Sequence, residues 1–130
     1  MFSMLVVEDS TEFRGELTCL LSQHFPNIRV EEAEDGEVAL EKVNLLVPDM
    51  VFMDIKLPGD NGITLTKHIK MAFDGVIIVI LSSYDMPEYR QAAFRNGADC
   101  FITKGSASCM SDVLARVEGT LSSKGIVLNS

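Results

Sequence analysis

Three short apolar runs in this chain finish on charge. Leu5-Val6-Val7 leads into Glu8-Asp9, Met50-Val51-Phe52-Met53 into Asp54, and Cys100-Phe101-Ile102-Thr103 into Lys104. Runs of this length and composition read as strands covered on both faces. If they lie parallel in one sheet, their charged ends emerge at the same edge, with neighbouring strands about 4.8 Å apart. Carboxylates crowded there repel, and at least one is driven to a raised pKa unless a cation intervenes. A hard divalent ion resolves the conflict, because Mg²⁺ prefers carboxylate oxygens and keeps waters that phosphate oxygens can replace. The side-chain ligands would be Glu8, Asp9 and Asp54. Such an ion neutralises charge on a transferring phosphoryl group. Lys104 would add a second positive charge, and Ser82, at the end of another apolar run, a hydroxyl donor. Asp54 is a carboxylate able to attack phosphorus. The resulting acyl phosphate is labile, as suits a signal that must decay.

Alternating elements must position these groups. Strand-like segments fall at residues 4–7, 28–32, 50–53, 76–81 and 100–103. Ser10 or Thr11 caps a first helix with Phe13, Leu17, Leu20 and Leu21 in register, broken at Pro26-Asn27. Helical periodicity recurs over 37–46, 63–73 and 86–96, the last closed by Gly97. Ser106 or Ser108 opens a fifth helix carrying Met110, Val113, Leu114, Val117 and Leu121. Residues 57–62 have loop composition. Such alternation predicts an α/β fold: a doubly wound, five-stranded parallel sheet in the flavodoxin-like order 2-1-3-4-5, with five helices. Ligands of such sheets bind beyond the carboxyl ends of the strands where the winding reverses, between the first and third strands.

The 130 residues suit one domain, expected over 1–121, with 122–130 as a tail or linker stub. A formal net charge of -8 argues against direct nucleic-acid binding and against an anionic membrane surface. Cys19, Cys100 and Cys109 form no pairing pattern and read as reduced, buried small hydrophobes. No apolar run is long enough to span a bilayer and no signal peptide is visible, so the expected location is cytoplasmic. Asp35, Asp49, Asp60, Asp85 and Asp99 read as caps and turns, and His24 and His68 as isolated, exposed helix residues.

With these motifs in order, the chain resembles the receiver domain of two-component response regulators. The resemblance spans residues 3 to about 121. It rests on Val7-Glu8-Asp9, Met53-Asp54, Leu57-Pro58-Gly59 with Gly62, Ile80-Leu81-Ser82-Ser83, Gly97-Ala98-Asp99 and Phe101-Ile102-Thr103-Lys104. It implies that Asp54 is the phosphoacceptor for a phosphohistidine on a sensor histidine kinase or phosphotransfer protein. Glu8, Asp9, Asp54 and the backbone carbonyl of Lys56 would hold Mg²⁺. Lys104 would pair with the phosphoryl group, Ser82 would be the switch hydroxyl, and Phe101 the switch aromatic, which plain core packing explains equally well. The face of the fourth helix, fifth strand and fifth helix would then change shape and select a downstream effector, with a phosphorylation-dependent homodimer as one output.

Two features depart from the family pattern or vary within it. Gly105 stands where proline often follows the lysine, which disfavours a cis bond. Lys56 and Tyr84 occupy the variable positions two residues after Asp54 and Ser82. The competing functions are a receiver-like scaffold that works without phosphorylation and a phosphatase with an aspartyl nucleophile. The full set of side chains disfavours the first. Lys56, standing where a dehalogenase-type enzyme needs a second acid, disfavours the second. The chain is therefore expected to be a phosphoacceptor rather than an enzyme acting on a separate substrate.

Overall fold

The alternating pattern folds as β1 (Ser3–Val7), α1 (Thr11–His24), β2 (Arg29–Ala33), α2 (Gly36–Leu46), β3 (Met50–Asp54), β4 (Lys56–Leu57), β5 (Asp60–Asn61), α3 (Gly62–Ala72), β6 (Ile77–Ser82), α4 (Pro87–Arg95), β7 (Cys100–Thr103) and α5 (Cys109–Ser123). This computed structural model describes residues 1–105 and 109–128. The expected fifth-helix caps, Ser106 and Ser108, lie outside the described residues. Five strands form one parallel sheet in the order β2-β1-β3-β6-β7, which is the expected doubly wound, flavodoxin-like arrangement. The predicted loop at 57–62 instead holds the antiparallel hairpin β4–β5, too short to show in the sequence pattern.

Strand alternation divides the core into two layers. Leu5, Val7, Val51, Met53, Ile78, Ile80 and Phe101 face α2, α3 and α4, and meet Ala39, Val43, Leu65, Ile69 and Ala93. Met4, Val6, Met50, Phe52, Val79 and Ile102 face α1 and α5, and meet Leu17, Leu21, Val113, Val117 and Leu121. Each fully buried aliphatic or aromatic side chain here contributes about 1.5–3 kcal/mol of transfer free energy. Beyond α5, Ile126 and Leu128 pack against this second layer.

Local chemistry sets the helix ends. Ser10 accepts from the Phe13 amide at 3.3 Å, Asp35 from Val38 at 2.9 Å and Asn61 from Ile63 at 2.8 Å. α4 has no side-chain cap and begins on Pro87, which needs no amide partner there. Val47 ends α2 in the left-handed region, at φ 42°, a conformation costly for a β-branched residue. Gly62 admits the closest approach: a Cβ there would lie 1.9 Å from the Asp54 carbonyl oxygen. Only glycine lets α3 start against the end of β3.

Three expectations for individual residues need correction. Cys19 is exposed, because the buried seam of α1 runs through Leu17 and Leu21 instead; Cys100 is buried. His24 is not isolated: its Nε2 pairs with Glu118 across the α1–α5 seam. Asp99, at the bend before β7, is more than a turn residue: it is a hub. Its carboxylate accepts from the Ile78 amide at 2.9 Å and pairs with Lys70 at 3.1 Å and Lys124 at 3.0 Å. It thereby ties α3, β6 and the end of α5 to the start of β7.

Burial raises the Asp99 pKa, but the Ile78 amide and the two lysines outweigh it and hold the carboxyl below the ordinary carboxylate range. A depressed folded pKa contributes stability above the unfolded value of 3.8, and that contribution is lost as pH falls through the folded value. Asp99→Asn is expected to cost about 1–3 kcal/mol at pH 7. The parent and variant stability curves should draw together as the pH falls below about 4. Thermal melts across pH check this, and equal stability at pH 7 would refute it.

Candidate functional site

Strand register brings the charged ends level. Val7 lies opposite Met53 and Asp54 opposite Leu81, while Ser82 lies opposite Thr103. Glu8 and Lys104 each follow directly on a paired strand end. Their backbones continue the pairing: the Glu8 amide donates to the Ala33 carbonyl at 3.0 Å, and the Lys104 amide to the Ser82 carbonyl at 2.7 Å.

The four expected charges converge there. Carboxylate oxygens of Glu8, Asp9 and Asp54 lie within 4.8 Å of one another. Lys104 stands between two of them, its ammonium paired with Glu8 and 3.3 Å from Asp54 Oδ2. Glu8 is buried, at 3% exposure, and its second oxygen accepts from the Ser10 amide at 2.9 Å. The shared hydrogen bond with Glu8 is the largest influence raising the Asp9 pKa, followed by burial and the Glu8 charge. The Asp9 amide and Lys104 act in the opposite direction and lose. This is the signature of carboxylates in excess of their cations. Ligands on an octahedral Mg²⁺ sit about 3–4 Å apart, given bonds of about 2.1 Å. The three carboxylates are hard oxygen donors already gathered within 4.8 Å, so the donor set fits the ion.

The other expected site residues lie around this cluster but not in it. Ser82 is buried at the end of β6; its hydroxyl accepts from the Tyr84 amide at 2.9 Å and donates to the Tyr84 carbonyl at 3.3 Å. Phe101 is wholly buried in the layer beneath α4, with the Arg90 guanidinium 4.6 Å from its ring centroid. Lys56 opens β4, and its ammonium lies 4.6 Å from the Tyr84 ring centroid. Tyr84 also meets Tyr89, with ring centroids 5.8 Å apart. Gly105 adopts φ 103°, and no peptide bond among the described residues is cis.

Two residues at the site were not singled out from the sequence. The Phe13 ring lies 4.5 Å from the Lys104 ammonium, a cation–π contact that helps aim the lysine. Arg14 donates from Nη1 to the Glu8 carbonyl at 2.6 Å and from Nε to Glu32 at 2.9 Å. Their place in the first turns of the helix that leaves the acid pair was the available signal.

Compared with known proteins, residues 4–117 match the model of the response regulator receiver domain. The chain belongs to this family. As a receiver domain it is 37% identical to the chemotaxis protein CheY of Halobacterium salinarum over 101 residues, which is 78% of this chain and 82% of that protein. It is 33% identical to the sensory transduction protein LytT of Bacillus subtilis over 104 residues. That match covers 80% of this chain but 42% of LytT, so the receiver domain spans less than half of that relative. The solved structure of a LuxR-family two-component response regulator from Aurantimonas sp. matches with a TM-score of 0.84 at 28% identity, over 93% of this chain and 85% of that one. No helix among the described residues is long and apolar enough to cross a membrane.

A raised folded pKa means that the charged form of Asp9 costs stability at neutral pH, a cost relieved as pH falls through the folded value. Asp9→Asn is therefore expected to melt at a higher temperature than the parent at pH 7 in chelator, with the difference shrinking in acid. Differential scanning calorimetry checks the sign, and a lower melting temperature would contradict it.

Proposed function

We propose that this receiver domain accepts a phosphoryl group on Asp54 from a phosphohistidine of a sensor histidine kinase or phosphotransfer protein, in a Mg²⁺-dependent step. The observation that carries this reading is the convergence of three carboxylates and one ammonium at a single sheet edge. Glu8, Asp9, Asp54 and the backbone carbonyl of Lys56 would hold the ion. When bound, Mg²⁺ offsets the negative charge of the group in transit.

The Asp54 carboxylate oxygen attacks phosphorus, the bond between phosphorus and the imidazole nitrogen breaks, and its electron pair returns to the ring. Lys104 already contacts Asp54, so it is placed to pair with the phosphoryl oxygens. Ser82 then gives up its bonds to Tyr84 and donates its hydroxyl to the new group. That movement opens space for Phe101 to change rotamer under Arg90, altering the α4–β7–α5 face that a downstream effector or a second copy reads. Moving such an equilibrium from 1:99 to 99:1 needs about 5.5 kcal/mol of differential stabilisation. A doubly charged group with a few charge-assisted hydrogen bonds is of that order.

On this reading the domain, over residues 1–121 with 122–130 as a linker, is a cytoplasmic signalling module. It assists its own phosphorylation and dephosphorylation, turns over no separate substrate and does not itself bind nucleic acid.

Beryllofluoride with Mg²⁺ is expected to bind at Asp54 and shift amide resonances along β7 and α4. Asp54→Asn should abolish both that response and labelling by acetyl phosphate. A variant labelled as readily as the parent would overturn the assignment. Tyr84, two residues after Ser82, is 41% exposed, with the Lys56 ammonium over its ring and Tyr89 beside it; on this reading its bulk would restrict the approach of attacking water. Tyr84→Ala is expected to shorten the phosphoryl lifetime severalfold, measured as loss of label after removal of the donor. An unchanged half-life would exclude the screening role.

A further inference from the structure

The Glu8–Asp9 corner carries two of the three acids, yet Asp9 is an exposed residue at the bend that leads into α1. Something must set its direction. The peptide group is planar, so fixing the Glu8 carbonyl fixes the Asp9 amide and with it the plane from which Asp9 departs. That carbonyl is held by Arg14 Nη1 at 2.6 Å. The other arm of the same guanidinium is held by Glu32 Oε1 on β2 at 2.9 Å. Arg14 is mostly covered, at 14% exposure, whereas Glu32 is 49% exposed. A rigid planar fork therefore spans the end of β1, the end of β2 and α1, and its inner arm points at the acid corner. As an ordinary surface ion pair, Arg14–Glu32 would contribute about 0–1 kcal/mol and affect nothing else.

From this geometry we infer that Arg14 is a positioning residue: it holds the Glu8–Asp9 corner in the shape that lets both carboxylates share one divalent cation with Asp54. The inference rests on the Mg²⁺ reading of these acids. Its sign separates it from electrostatics. Removing a positive charge beside a cation site should tighten Mg²⁺ binding, whereas losing the positioning fork should weaken it.

The test is calorimetric titration of MgCl₂ into the parent, Arg14→Ala and Arg14→Lys, together with amide exchange on the metal-free proteins. Lysine keeps the charge but loses the two-armed fork. Both variants are expected to bind Mg²⁺ about tenfold more weakly, a loss of about 1.4 kcal/mol. In both, the Asp9 and Ser10 amides should exchange faster while those of β6 stay protected. Variants that bind as tightly as the parent, or more tightly, overturn the inference. If the parent itself shows no Mg²⁺ binding, the metal reading fails, and unchanged exchange at Asp9 and Ser10 would then overturn the positioning role separately. If Arg14→Ala does not fold, Arg14→Lys decides; failure of both to fold would assign Arg14 to the scaffold and overturn the positioning role.

Discussion

Glu8 is a carboxylate almost without access to water, three residues before the start of α1 and beside two more acids. An isolated charge in that position would be costly, and the pairing with Lys104 makes it tolerable. Much of the upper edge of the sheet serves that pairing. β7 must run parallel to β6 and in register for Lys104 to arrive at the height of Glu8 and Asp54. Phe13 must lie against the ammonium, and Ser10 must turn its amide to the second oxygen of Glu8. One ammonium does not balance three carboxylates, and the remaining imbalance appears at Asp9.

The two ends of the sheet treat acids in opposite ways. Asp99, at the lower end, is given two lysines and a backbone amide, and its pKa is driven down. Asp9, at the upper end, is given a neighbouring carboxylate, and its pKa is driven up. The lower arrangement is saturated and locks elements together. The upper one is left short of positive charge, a local loss of stability of the kind that functional sites commonly carry. A divalent cation is the ligand that such a shortage would select.

Ser82 and Phe101 extend the same logic away from the edge. Both are buried, and both are engaged by partners that a rearrangement could exchange: Tyr84 backbone for the hydroxyl, Arg90 for the ring. Arg90 is itself held by Asp85 at 2.7 Å, so the cap over Phe101 is anchored in the loop that follows Ser82. That loop also carries Tyr84. The partners of the Ser82 hydroxyl and the anchor of the cap over Phe101 thus lie in one short segment between β6 and α4.

The strand ends that carry Glu8, Asp9, Asp54 and Lys104 were legible in the sequence because each marks an abrupt change from apolar to charged residues, a local signal. The sheet order followed from the alternation of periods, and Ser10 and Asp35 from capping chemistry. The hairpin at 56–61 was missed because two-residue strands have no pattern of their own. Arg14, Phe13 and the Asp99 hub were missed for a different reason. Their partners lie 18 residues away for Arg14–Glu32, 29 for Lys70–Asp99, and on opposite sides of the chain for Phe13 and Lys104. Such contacts depend on how α1 and α5 settle on the sheet, and nothing local encodes them. The sequence alone therefore determined which chemistry is present and at which edge. Only the packed structure decided how Lys104 divides itself between Glu8 and Asp54, and which side chains aim them, because those outcomes depend on distances between elements that meet only after folding.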